Sequence, residues 1–141
     1  MIGEWHRGIY STHEEAQSLA RGRAWPGDLF PGVALPSTLC MDRWIVIRYK
    51  DRFTCALVWD VGPWCTDDSP YTHGIARPRA EQLRGKPCPV TLADPESRAT
   101  VQGKVIPYSN GAGIDLFPFT AKLLGIPMGT NVLVDWRWVE V

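Results

Sequence analysis

The sequence predicts one domain of mainly β structure. Its length of 141 residues is that of a single domain and leaves no room for two independent cores. Its 13 glycines and 12 prolines interrupt the chain too often for a bundle of long helices, and they favour short strands joined by turns. With 45% hydrophobic and 21% charged residues, the composition is typical of a folded globular protein and excludes a disordered one.

The first part of the chain, residues 1–32, predicts an N-terminal extension made of a helix and a loop. Thr12 and Glu15 have the spacing of a capping box, in which two side chains bond the free N–H groups at a helix start. Gly22 follows the predicted helix and ends it. Prolines and glycines between residues 24 and 36 then predict irregular coil.

Two β-rich runs in the middle of the chain predict a hairpin. Residues 44–49 and 53–59 are rich in β-branched and aromatic side chains, and a short polar stretch joins them. Gly62 and Pro63 follow the second run and end the strand, because proline has no N–H for a sheet ladder. This leaves Asp60 at the carboxyl end of the predicted strand.

The segment 65–110 is rich in turn-forming residues and is predicted to be a long insertion. Within it, Pro78 favours a helix through residue 84, because proline suits the first helical position. A second hairpin is predicted between residues 90 and 105.

The C-terminal part predicts a short helix and then a closing strand. Pro118 begins the helix, which runs through Leu124. Residues 131–141 predict the strand, because their apolar side chains alternate with polar ones. The alternating residues are Val132, Val134, Trp136 and Trp138.

Charge and hydropathy exclude two classes of partner. There are 15 basic and 15 acidic residues, so the formal charge is zero and no electrostatic field gathers a polyanion. We therefore expect no nucleic-acid partner. No apolar run approaches the roughly 20 residues that cross a bilayer, so we expect no membrane span. Residues 1–7 also lack the apolar core of a signal peptide.

The sequence predicts neither a metal site nor a cofactor. Its cysteines include no CxxC pair, which argues against structural zinc. The glycines at 111–113 are not followed by the lysine of a phosphate loop, so no nucleotide is expected. The sequence leaves the disulfide pairing open. The four cysteines are Cys40, Cys55, Cys65 and Cys88.

Several segments, in this order, resemble the double-psi β-barrel of rare lipoprotein A and the expansins. They are residues 34–36 (ALP), 58–64 (VWDVGPW), 113–117 (GIDLF) and 121–126 (AKLLGI), with Gly129 and a valine-rich last strand. The resemblance covers residues 33–64 and 111–141. It implies a mainly β fold, a six-stranded double-psi β-barrel with short helices, in which 65–110 is a long inserted loop. It also implies a secreted or cell-wall-associated protein that acts on peptidoglycan or a related polysaccharide.

The resemblance also assigns roles to two aspartates. Murein lytic transglycosylase A and the family 45 endoglucanases use an aspartate after the glycine as general acid, and that position falls on Asp115. In rare lipoprotein A an aspartate of an Asp-Arg-Gly-Pro turn lines the groove, and that position falls on Asp60. A histidine that rare lipoprotein A has four residues before the proline of its "LP" element falls on Gly32. The resemblance thus implies an enzyme in which Asp115 is acid and base and Asp60 assists.

The residues themselves allow this chemistry and also a simpler role. Glycosidic cleavage needs a carboxylic acid with a raised pKa, and the apolar neighbours of Asp115 favour such a shift by desolvation. Alternatively, Asp115 bonds nearby backbone N–H groups, and Asp60 only forms a turn.

Aromatic and loop residues are the candidates for substrate binding. Flat indole faces stack on sugar rings, and Trp64 and Trp25 lie next to predicted loops. Tyr71 and His73 are further candidates. His73 either substitutes for the missing groove histidine or is an exposed loop residue without a role. We expect the two adjacent acids at positions 67 and 68 to be solvated rather than to bind a cation.

Two other functions remain open at this point. One is a non-catalytic, expansin-like module that grips a glycan without turnover. The other is a structural barrel in a phage tail or cell-surface assembly, because fold alone does not fix function.

Overall fold

Six β-strands close into a barrel that forms the framework of the protein. The computed structural model describes residues 4–14, 23–88 and 109–139. In chain order the strands are β1 (His6–His13), β2 (Gly32–Leu35), β3 (Trp44–Tyr49), β4 (Arg52–Val61), β5 (Ile114–Leu116) and β6 (Leu133–Trp138). Around the barrel they follow the order β1-β5-β2-β4-β3-β6. The pairs β1–β5 and β2–β4 are parallel and the other pairs are antiparallel, so the barrel is mixed.

Short helices accompany the barrel, as the sequence predicts. In the described part of the chain they are α1 (Ser69–Thr72), α2 (Arg79–Gln82) and α3 (Pro118–Leu123), with a 3-10 turn at Thr38–Cys40. The helix predicted from Pro118 is confirmed as α3, which begins at that proline. The helix predicted over residues 78–84 is shorter than expected, because Pro78 caps α2 from outside and the helix ends at Gln82. The hairpin predicted between residues 90 and 105 lies outside the described residues.

Strands β3 and β4 form the predicted hairpin. They pair in antiparallel register along the whole of β3. Ile45 and Ile47 are fully buried, since alternate side chains of a strand share one face. Strand β4 continues to Val61, so Asp60 lies inside the strand and takes part in the barrel rather than in a turn.

The last strand, β6, is also confirmed. Val134, Trp136 and Trp138 are buried at every second position, and Val132 precedes the strand. Strand β6 pairs with both β1 and β3 and so completes the barrel.

The N-terminal prediction is wrong where the structure describes it. Residues 6–13 are not part of a helix-and-loop extension but form β1, which lies between β5 and β6. Thr12, for which the capping-box spacing predicts a helix cap, is a strand residue paired with Asp115 of β5. Pairing on both sides and the buried alternate positions Ile9 and Ser11 outweigh a local capping signal. The remainder of the predicted helix, residues 15–22, lies outside the described residues.

One disulfide resolves the open question of cysteine pairing. Cys65 is bonded to Cys88, across a sequence separation of 23 residues. Cys40 is a buried free thiol and Cys55 is an exposed one. The disulfide therefore ties the chain after β4 to the segment beyond α2.

Tyr71 belongs to the core and not to a ligand surface. Its side chain is fully buried. Its hydroxyl donates to the carbonyl oxygen of Gly113 at 3.0 Å and accepts from Nε1 of Trp136 at 2.7 Å. This hydrogen-bonded burial corrects the prediction that Tyr71 contacts a substrate.

Candidate functional site

The barrel places two predicted site residues on either side of one small residue. Asp115 of β5 pairs with Ala34 of β2, and Asp60 of β4 pairs with the same alanine. On the other side of β5, Asp115 pairs with Thr12 of β1. Directly paired residues on neighbouring strands point to the same face. Thr12, Asp115, Ala34 and Asp60 thus form a row across four adjacent strands.

A third carboxyl group, that of Glu14, joins this row. Glu14 follows β1 directly, and its backbone N–H donates to the carbonyl oxygen of Leu116 at 2.8 Å. Its side chain makes hydrogen bonds with both Asp115 and Asp60. We call Glu14, Asp60 and Asp115 the carboxyl cluster.

Burial differs among the three acids. Glu14 is 4% exposed and Asp60 is 2% exposed, whereas Asp115 is only partly buried. Asp115 is therefore the member of the carboxyl cluster that solvent can reach. Gly62 packs beside it, since a Cβ atom added at Gly62 would lie 3.8 Å from Oδ2 of Asp115, an ordinary van der Waals distance.

The environment raises the pKa of two of these acids. Burial above all, together with the neighbouring charges of Asp115 and Asp60, raises the pKa of Glu14 to about 10. Burial also raises the pKa of Asp115, to about 6. Hydrogen bonds from Thr12 and Glu14 limit that rise, because they stabilise the ionised form. Asp115 thus combines a raised pKa with contact to solvent.

His13 lies next to the carboxyl cluster in the chain. Its Nε2 donates to the carbonyl oxygen of Thr130 at 2.7 Å, and its ring lies close enough to Asp115 to act on the pKa of that acid, in the lowering direction. Its Nδ1 is buried with no hydrogen-bond partner among the described residues. His13 therefore presents a second polar group near the solvent-facing acid.

Trp64 and Trp25 remain partly exposed. The Nε1 of Trp64, just beyond the end of β4, donates to Oδ1 of Asn110 at 2.8 Å. Trp25 stacks on Phe117, with ring centroids 5.0 Å apart. One face of Trp25 is therefore already covered by protein, and Phe117 links that indole to the end of the strand that carries Asp115.

Gly32 makes room for the Phe117 ring. A Cβ atom at position 32 would lie 2.6 Å from the ring, which is too close for any side chain. The ring of Phe117, the residue directly after β5, therefore fills the space that a side chain at position 32 would need.

His73 lies apart from the carboxyl cluster in the contacts that the structure describes. Arg43 donates to its Nε2 at 3.1 Å, and its Nδ1 bonds the hydroxyl of Thr72 at 2.9 Å. Its ring packs 5.2 Å from that of Trp138 on β6. Burial and the charge of Arg43 lower its pKa. His73 is exposed at the end of α1, as one of the two sequence interpretations expected, and its contacts do not bring it to the carboxyl cluster.

The acidic pair after β4 has a structural role at Asp68. Its Oδ2 accepts from the backbone N–H of Arg79 at 2.7 Å and so holds α2. In the described ranges, no group of histidines, cysteines and acids is arranged to hold a metal ion. No helix among the described residues is long and apolar enough to cross a membrane.

A hollow of about 520 Å³ beside α3 is separate from the carboxyl cluster. Its walls are mostly apolar, and none of the three acids lines it. The lining residues are Asp28, Leu29, Pro118, Phe119, Lys122, Gly125, Ile126, Pro127 and Met128.

Sequence reasoning found Asp60 and Asp115 but missed Glu14 and Thr12. Thr12 is near the end of β1 and Glu14 directly follows that strand. The capping-box spacing of Thr12 and Glu15 predicts a helix start at this place instead of a strand. The burial of Ile9 and Ser11 at alternate positions appears only in the folded barrel, because a serine gives no hydrophobic signal in the sequence.

No protein-family model matches this chain, and a comparison with curated proteins finds no similar sequence.

Proposed function

We propose that this protein cleaves a cell-wall polysaccharide, peptidoglycan or a related glycan, as a lytic transglycosylase or glycosidase with Asp115 as general acid and base. One observation carries the proposal. Asp115 is partly exposed while two buried acids lie beside it, and its pKa is raised to about 6. A carboxyl group with that pKa exists in both protonation states near neutral pH, as an acid that later acts as a base requires.

The barrel supports the same proposal through its architecture. We propose that it is of the double-psi type, which fits a closed barrel of six strands with two parallel pairs. The segments that resemble rare lipoprotein A and the expansins lie on or next to elements of the barrel. Residues 58–64 cover the end of β4, residues 113–117 cover β5, and residues 121–126 cover the end of α3. The groove histidine of that family has no counterpart here, because Phe117 fills the space at Gly32.

The chemistry needs one proton donor. Protonated Asp115 gives its proton to the bridging oxygen, the bond between that oxygen and the sugar carbon breaks, and the electron pair stays on the oxygen. A hydroxyl of the same sugar then attacks the carbon and returns a proton to Asp115, which yields an anhydro end. Attack by water would instead yield a reducing end. Asp60 assists through its negative charge, which raises the pKa of Asp115 and so favours the protonated form.

Digestion of purified peptidoglycan tests the proposal. We would incubate the pure protein with sacculi and identify soluble products by mass spectrometry. Asp115→Asn is the test variant, and Asp51→Asn is the matched control because Asp51 lies exposed in the turn between β3 and β4. Anhydro-ended or reducing-ended fragments that disappear only in Asp115→Asn would support the proposal and name the reaction type.

Other outcomes would contradict it. Binding to sacculi without products, equal in the two variants and the wild type, would indicate a glycan-binding module. Neither binding nor products would indicate a structural barrel of a larger assembly.

A further inference from the structure

Glu14 is held in place by the barrel and not by a flexible loop contact. Its backbone N–H extends the ladder between β1 and β5 by donating to Leu116. Its side chain is buried and bonds one acid on each of two other strands, Asp115 on β5 and Asp60 on β4. Glu14 therefore has a fixed geometry toward both aspartates.

These contacts require a proton. An ionised carboxylate can only accept hydrogen bonds, so two carboxyl groups bond each other only if one of them is protonated. The carboxyl cluster therefore contains at least one proton in the folded protein. The question is which acid keeps it.

The surroundings distinguish the three acids. The Thr12 hydroxyl donates to Oδ1 of Asp115 and so stabilises its charged form, and Asp115 is less buried than Glu14. Glu14 is almost completely buried, and burial disfavours its charged form. Among the described residues, the titratable and hydrogen-bonding groups that face Glu14 and Asp115 are Asp60 from β4 and Thr12 and His13 from β1.

We propose that Glu14 is a positioning residue for Asp115. Glu14 keeps the shared proton and donates it in a hydrogen bond to the Asp115 carboxylate. This bond is strongest when Asp115 is an anion, which is the state that follows proton donation to a leaving oxygen. The catalytic meaning of the Asp115 anion rests on the proposed function. The location of the proton on Glu14 does not depend on that function. The pKa of Glu14, raised to about 10, and that of Asp115, raised to about 6, agree with this order of ionisation.

Carboxyl carbon NMR of the wild-type protein tests the proposal directly. With ¹³C-labelled aspartate and glutamate side chains, the Glu14 signal should stay in the protonated position from pH 5 to pH 8. The Asp115 signal should titrate with a midpoint near 6. Ionisation of Glu14 near its ordinary value of 4.5 would overturn the proposal. A proton that stays on Asp60 or Asp115 up to pH 8 would also overturn it.

A pair of variants separates donation from mere packing. Glu14→Gln keeps an N–H donor, so the Asp115 midpoint should stay within roughly half a pH unit of the wild type. Glu14→Ala removes the donor and should raise that midpoint by about one unit, the size expected for one hydrogen bond to a charged group. An unchanged or lowered midpoint in Glu14→Ala would contradict the proposal.

The test remains decisive in two difficult cases. If Glu14→Ala does not fold, the titration of the wild type still locates the proton. If the digestion experiment shows no cleavage, the proposed function fails, but the titration still confirms or rejects the role of Glu14 because it uses no substrate.

Discussion

Replacing Glu14 by glutamine should make the protein more stable at neutral pH. In the folded protein Glu14 stays protonated at pH 7, because its pKa is raised to about 10. In the unfolded chain it ionises at its ordinary value of 4.5, so the unfolded state binds fewer protons above that pH. Folding stability therefore falls as the pH rises from 4.5 toward 10, by about 1.4 kcal/mol per unit for this one group.

The expected size of the effect at pH 7 follows from this slope. The distance from 4.5 to pH 7 is 2.5 units, which corresponds to about 3 kcal/mol. Glutamine does not titrate and keeps the donor, so Glu14→Gln should be about 3 kcal/mol more stable than the wild type at pH 7. At pH 4 the two proteins should be nearly equal, because Glu14 is then protonated in both states. The contribution of Asp115 is present in both proteins and largely cancels.

Urea unfolding at pH 4, 5, 6 and 7 measures this difference. Glu4→Gln is the control, since Glu4 is exposed and its replacement should not change the pH dependence. A stability difference between Glu14→Gln and the wild type that stays constant with pH would refute the reasoning. It would show that Glu14 ionises alike in the folded and unfolded states.

Two further predictions concern packing and the disulfide. Gly32→Ala should destabilise the protein by about 1–3 kcal/mol, because its Cβ would lie 2.6 Å from the Phe117 ring; thermal unfolding checks this, and an unchanged Tm would contradict the packing. Replacing Cys65 and Cys88 by serine should cost about 3 kcal/mol, as expected for a loop closed over 23 residues, and Cys55→Ser should cost little because that thiol is exposed and unbonded. Equal urea midpoints for the double variant and Cys55→Ser would contradict the second prediction.

The hairpin and the C-terminal elements could be predicted because their signals are local. Strands β3 and β4 have long β-rich runs, and α3 begins at a proline. Strand β1 could not be predicted in the same way. Its pairing partners, β5 and β6, lie more than 100 residues further along the chain, and the local Thr12 signal pointed to a helix.

The candidate site was predictable only in part for a related reason. Asp60 and Asp115 each follow or lie within a recognisable motif, so their types and places drew attention. Glu14 has no such motif, and its importance arises from contacts with both aspartates that only the closed barrel creates. Tyr71 shows the opposite error, because its loop-like sequence context hid a fully buried position.

The row of Thr12, Asp115, Ala34 and Asp60 makes the site a property of the whole barrel. Each residue comes from a different strand, and the strands lie far apart in the sequence. Contacts of this kind form only when the non-local pairings are complete, so they are lost together when any of the four strands detaches. A fragment or a partly folded chain would therefore carry the same acids without their shared proton. The chemistry proposed for Asp115 would therefore require the closed barrel.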